Sequence, residues 1–308
     1  MNSEHPITLA VHAMATRFEL VLYGGDPSRL RAAGEEALEE VEALDRQLSF
    51  YRRGSDVNWI NSRAGGGPVK VEPRLFGLLK TAAELWELTD GAFDVTVAPL
   101  MRVWGLAGGE GRVPSDAEIA EALEMVGMGR VVLDEEGFTV RFEREGMLID
   151  LGAIGKGYAI DRAVETLRES GVESALIHGG TSTIYGLGSP PNADAWRVAI
   201  RDPSGSGEWQ RPGAVELRDS SLSVSAVHGK SFVYDGQEYG HVIDPRTGRP
   251  SRGAALAAVW GPSATETDAL STALLVLGEP GLEAVRGRGG DYSGVWESNR
   301  FDIDKQAD

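Results

Sequence analysis

The 308-residue chain contains no cysteine, which excludes disulfides, thiolate metal sites and a cysteine nucleophile and leaves chemistry to oxygen and imidazole groups. Positive charge is scarce: 30 Lys and Arg stand against 47 Asp and Glu, a formal net charge of −17. Nucleic-acid binding draws its affinity from cations that neutralise phosphates, so DNA and RNA are not expected partners, and anionic membranes are disfavoured. Long apolar runs are missing as well. The most apolar stretch, Ala269 to Leu277, falls short of the roughly 20 residues a membrane helix needs, so no membrane segment is expected. The opening residues, Met1 to Thr8, have neither the basic nor the apolar region of a signal peptide, and no Cys can carry a lipid, which predicts a cytoplasmic protein. There is no His-Glu-x-x-His, no Walker A spacing and no Gly-x-Ser-x-Gly elbow. Gly152-Ala153-Ile154-Gly155-Lys156-Gly157 is not a phosphate loop, because its first two glycines are too close and no Ser or Thr follows Lys156.

What is present describes a folded chain with ample length for a core: 42% hydrophobic and 25% charged residues match the globular average. Glycine, at 40 residues, is about twice its average frequency, so many tight turns or close backbone approaches are required. Thr16 to Tyr23 reads as a strand, and Asp26-Pro27 as the cap and first residue of a helix with apolar residues at Leu30, Ala33, Ala37, Val41, Leu44 and Leu48. A second helix is predicted from about Pro73 to Thr89, ending at Asp90-Gly91. Val131 to Leu133, Phe138 to Phe142 and Met147 to Ile149 predict a small antiparallel meander. A helix follows over about Lys156 to Ser170, then strands at Ala175–Ile177, Trp196–Ile200, Val215–Leu217, Phe232–Tyr234 and Ala254–Val259, and a last long helix over Thr265–Leu277. Ser204 to Gly213 is the best loop candidate. Strands cluster between single helices without regular alternation, which predicts an α+β fold with mixed, mainly antiparallel sheets and flanking helices.

Four segments carry chemistry. Asp150 to Asp161 places a carboxylate at a strand end and Lys156 in the first turn of a helix, where a cation opposes the macrodipole and calls for a compensating anion. Asp268 and Thr272 stand one helical turn apart, two hard oxygens suited to magnesium, although Thr272 could instead bond back to Asp268. His241 heads the punctuated segment Gly240 to Pro250 and serves as either a structural or a catalytic imidazole. Gly91-Ala92-Phe93-Asp94 delivers an aromatic and a carboxylate after a helix stop, or simply a core Phe.

Together with Met14-Ala15-Thr16, Leu48 to Tyr51, Ser55 to Asn58, Val95 to Leu100, Trp104-Gly105 and Ile243 to Gly248, these segments resemble the FAD:protein FMN transferase family, the ApbE-type flavin transferases, over about residues 14–278. The resemblance implies a T-fold-like single domain over residues 1–308, with about 279–308 as a C-terminal tail. It implies a magnesium-dependent enzyme that takes FAD, releases AMP and attaches FMN to a Thr or Ser of an acceptor flavoprotein. Met14, Tyr51, Ala92, Phe93, Asp94, Asp150, Lys156 and Ile243 would contact FAD. Asp268, Thr272 and the main-chain oxygen of Ala153 would hold the metal, and His241 would assist deprotonation of the acceptor hydroxyl. The chain departs from the family pattern at Ile177, Thr181, Val224, Ala226 and Ser271. A FAD pyrophosphatase giving FMN and AMP, or a catalytically impaired FAD-binding protein, remain alternatives.

Overall fold

The computed structural model describes residues 5–200, 213–227 and 231–297. The predicted loop lies outside them except for Gly213. The first half of the chain contains β1 (Ile7–Ala13), β2 (Thr16–Tyr23), α1 (Pro27–Leu48), α2 (Asp56–Arg63), β3 (Val69–Lys70), α3 (Pro73–Leu88), α4 (Ala98–Val103), α5 (Asp116–Leu123), β4 (Val131–Asp134) and β5 (Thr139–Phe142). The second half begins with α6 (Gly155–Glu169), β6 (Ser174–Gly179), β7 (Thr183–Leu187), β8 (Trp196–Ala199), β9 (Ala214–Leu217) and β10 (Ser220–Ala226). It continues through β11 (Ser231–Tyr234), β12 (Gln237–Gly240), β13 (Ile243–Asp244), β14 (Arg249–Pro250), β15 (Leu256–Gly261), α7 (Ala264–Leu277), α8 (Gly281–Gly287) and β16 (Ser293–Glu297).

The main sheet has the order β1-β2-β6-β7-β10-β15-β16. Every strand pairing among the described residues is antiparallel, and the expected α+β class with flanking helices holds. Helices α1, α6 and α7 pack together against one side of this sheet. Helix α1 starts as its sequence dictates: Asp26 Oδ1 accepts from the Ser28 and Arg29 amides at 3.0 Å, with Pro27 next. Its apolar stripe is buried, and Gly34 lets the helix press onto the strands, since a Cβ there would stand 2.6 Å from Leu9 and 2.7 Å from Leu22. The opposite side of the sheet is covered by the ribbon β8–β9 through Trp196, Val215 and Leu217 over Leu222, Leu256 and Ala258. A third apolar cluster, Leu100, Trp104, Ile119, Ala122, Val126 and Ile243, joins α4 and α5 to the β13–β14 segment.

Two expectations are corrected. Met147–Ile149 is not a strand, and the third strand of the small sheet β3-β5-β4 is Val69–Lys70 instead. The Asn61 side-chain amide takes the place of a ladder there, donating to Ile149 O at 2.8 Å while its oxygen accepts from Ile149 N at 2.7 Å. Within the expected C-terminal tail, residues 281–297 form α8 and the edge strand β16, which pairs with β15. Glu266 of α7 holds it, accepting from Arg288 at 2.6 and 2.9 Å and from the Tyr292 hydroxyl at 2.5 Å.

Candidate active site

The start of α6 meets the middle of α7. Gly157 makes this possible, because a Cβ on it would lie 2.0 Å from Ala264 O and 2.9 Å from the Asp268 Cβ. At this contact the Gly157 amide donates to Asp268 Oδ2 at 3.0 Å, and Lys156 Nζ stands 3.5 Å from both oxygens of the same carboxylate. Asp268 therefore supplies the anion that a lysine in a helix's first turn requires, and it is itself 4% exposed. One turn of α6 further on, Asp161 returns the connection. Its carboxylate accepts from the Ser263 hydroxyl, the Ala264 and Thr265 amides and the Thr265 hydroxyl at 2.6–2.8 Å, capping the first turn of α7. Burial pushes the Asp161 carboxyl above its ordinary value, with the donors from Thr265, Ala264 and Ser263 opposing that shift.

Thr272 does bond back along its helix: its hydroxyl donates to Asp268 O at 3.3 Å, as does that of Ser271 at 2.9 Å. A hydroxyl that spends its proton this way keeps lone pairs for a cation. Ser225 of β10 lies 2.8 Å from the Ser271 hydroxyl and 3.4 Å from that of Thr272. Ala153, half-buried, sits in the turn just before α6. No group of three or more His, Cys, Asp or Glu side chains suited to a metal exists among the described residues. The expected donor set is one carboxylate, one hydroxyl and a main-chain carbonyl. This sparse, hard set fits magnesium, which completes its shell with waters and substrate phosphates, better than an ion that needs a cage of protein oxygens.

The expected flavin contacts divide into open and closed positions. Met14 is in the left-handed β1–β2 turn, φ +50°, where its amide donates to Asp45 Oδ1 at 2.7 Å. Tyr51 is 69% exposed and meets Phe50 edge to face. Its phenol is pushed up, by desolvation first and by the Asp150 charge second, which ties these two residues to one locality. Asp150 is half-buried and also pushed up by desolvation, against the hydrogen bond it accepts from Gly152 N at 2.9 Å. Ala92, Phe93, Asp94 and Ile243, in contrast, are all buried. Asp94 serves its own chain: Oδ1 accepts from the Thr96 amide and hydroxyl at 2.7 and 2.6 Å, and Oδ2 from the Met128 amide at 3.1 Å. Burial raises its carboxyl despite these donors.

His241 is half-buried between β12 and β13 rather than on a strand. The segment is fixed from below by Trp104, whose indole donates to Gly248 O at 2.7 Å. Gly248 is required there, with φ +70° and a would-be Cβ 2.6 Å from Ile119. Asp244 is engaged by Arg246, which donates through Nε and Nη2 at 2.9 Å each. On the other side Gly240 packs against Val227, two residues beyond Ser225, and this links the histidine segment to the Thr272 end of α7. Sequence reasoning missed Thr183, whose hydroxyl donates to Asp268 Oδ1 at 3.1 Å, and Gly157 as an amide donor. The signals available were a Thr just past the Gly179-Gly180 turn and a third glycine after Gly152 and Gly155.

Fold and site define an α+β protein that gathers an acid, an amine and hydroxyls where two helices cross. The chain belongs to the ApbE family, whose sequence profile matches residues 14–294. It is 36% identical over 260 residues to the FAD:protein FMN transferase of Treponema pallidum, covering 79% of this chain and 71% of that protein. It is 33% identical over 261 residues to that of Vibrio cholerae, covering 82% and 75%. The solved ApbE protein of Thermotoga maritima is similar at a TM-score of 0.83 and 30% identity, over 95% of this chain and 97% of that one. The apo flavinyl transferase ApbE of Pseudomonas stutzeri gives 0.81 and 29%, over 95% of each chain.

Proposed function

We propose that this protein transfers FMN from FAD to a Thr or Ser hydroxyl of an acceptor flavoprotein, releases AMP and uses magnesium. The observation that carries this reading is the convergence of Lys156, the Gly157 amide and Asp268 at one helix start. Asp268 balances the Lys156 charge while no ligand is present, and a cation on that carboxylate would leave Lys156 and the start of α6 to hold a pyrophosphate. Met14, Tyr51, Asp150 and Lys156 are the open contacts for FAD, and Ala92, Phe93, Asp94 and Ile243 shape the walls behind them. Asp268, Thr272 and the Ala153 carbonyl would hold the magnesium, which supplies Lewis-acid and template chemistry when bound. His241 accepts the proton of the acceptor hydroxyl as that oxygen attacks the FMN phosphorus. One phosphorus–oxygen bond forms to the acceptor, the pyrophosphate bond breaks, and AMP leaves with the electron pair. Lys156 stabilises the charge that develops on the phosphate oxygens.

The test is mass spectrometry of FAD incubated with the protein, magnesium and a Thr-bearing peptide from a flavoprotein. The expected result is a peptide heavier by FMN, with AMP released. Free FMN and AMP without labelled peptide would replace the reading with a FAD pyrophosphatase, and intact FAD with a binding protein.

A further inference from the structure

We infer that Thr183 is the positioning residue that sets the rotation of the Asp268 carboxylate toward a divalent cation, an inference that rests on the reading of Asp268 as a metal ligand. Thr183 opens β7 and is fully buried. Its backbone is locked on both sides, since it pairs with Gly179 of β6 and with Ser223 of β10. The turn before it is equally constrained: Gly180 has φ +63°, and a Cβ there would stand 2.4 Å from Thr16 Oγ1. From this fixed base the hydroxyl donates to Asp268 Oδ1 at 3.1 Å, while the Gly157 amide, from α6, donates to Oδ2 at 3.0 Å.

Two donors from separate elements thus grip the two oxygens of one carboxylate. A carboxylate held at both ends cannot swing about its terminal bond, yet each oxygen keeps a further lone pair. Lys156 does not consume them, because 3.5 Å to both oxygens is longer than a direct charge-assisted hydrogen bond of about 2.7–2.9 Å. Gly157 contributes through its main chain, so Thr183 is the side chain that sequence change can tune. Outer-shell partners of this kind fix a ligand before the ion arrives, and their loss typically weakens metal binding by about 10–100-fold.

Isothermal titration calorimetry with magnesium alone, in the absence of FAD, tests this on wild type, Thr183→Val, Thr183→Ser and Asp268→Asn, with melting temperatures recorded beside it. Val keeps the branched shape and removes the hydroxyl, whereas Ser keeps the hydroxyl and removes the methyl. The expected result is magnesium binding weakened about 10–100-fold in Thr183→Val and retained in Thr183→Ser. Wild-type affinity in the Val variant, or equal weakening in both, would overturn the inference and leave Thr183 a packing residue. If the Val variant does not fold, Thr183→Ala carries the same expectation. Equal magnesium binding by wild type and Asp268→Asn, or none by wild type, would overturn the metal reading itself and the inference with it.

Discussion

The two ends of the site are built differently. At the carboxylate end, Asp268 and Asp161 lie inside the α6–α7 contact and are held by donors from α6, β7 and the first turn of α7. At the histidine end, His241 is carried by short strands and turns over a satellite cluster, fixed through Trp104 and Gly248. The first end is made of long elements whose two carboxylates are held by several donors, and the second of two-residue strands with few ladder bonds. Such a division suits a reaction with one small charged substrate and one polypeptide. The phosphate end must be preorganised before binding, and the end that receives a chain must stay accessible.

The sharpest way to separate the ends is to remove each one's chemistry. Replacing His241 with Ala should lower FMN transfer by about 10²–10⁴-fold while FAD affinity stays near the wild-type value. Equilibrium FAD binding beside single-turnover labelling measures both, and a wild-type labelling rate would make His241 structural. Gly157→Ala attacks the other end through packing rather than charge. Helix propensity favours Ala by about 1 kcal/mol, but the added methyl would meet Ala264 O at 2.0 Å. A net loss of about 1–3 kcal/mol in denaturant unfolding is expected, and a stabilised variant would show that the helices can separate freely.

A smaller effect distinguishes stored electrostatic cost from fold stability. Desolvation raises the Asp150 carboxyl in the folded state. The folded chain thus binds its proton more readily than the unfolded chain does. Its contribution to stability is complete below the unfolded value of about 3.9 and is lost as pH rises through the folded one. Asp150→Asn should therefore raise the melting temperature near neutral pH, and the gain should vanish in acid. A gain that persists below that value, or a loss at neutral pH, would show that the carboxylate is needed for folding.

Much of this arrangement was legible in the sequence. The Asp26-Pro27 start of α1, the α6 stripe, the existence of α7 and the need of Lys156 for an anion all follow from local rules. Strand β10 escaped notice because its inward residues are hydroxyls: Ser221 and Ser223 are buried against Thr267, which inverts the apolar alternation that marks a strand. A period of two in Ser221, Ser223 and Ser225 was the signal that remained. Thr183 was hidden for another reason, since it meets Asp268 across 85 residues of sequence and only strand pairing brings them together. The edge strand β16 was obscured because its anchor is also long-range, the Glu266 contacts with Arg288 and Tyr292.

The most direct test of the central claim, that the α6–α7 contact is the phosphate and metal end of the site, is AMP release from FAD by Asp268→Asn at limiting magnesium. The expected result is a fall of about 100-fold or more relative to wild type, in a chain that still binds FAD. AMP release at the wild-type rate would contradict it.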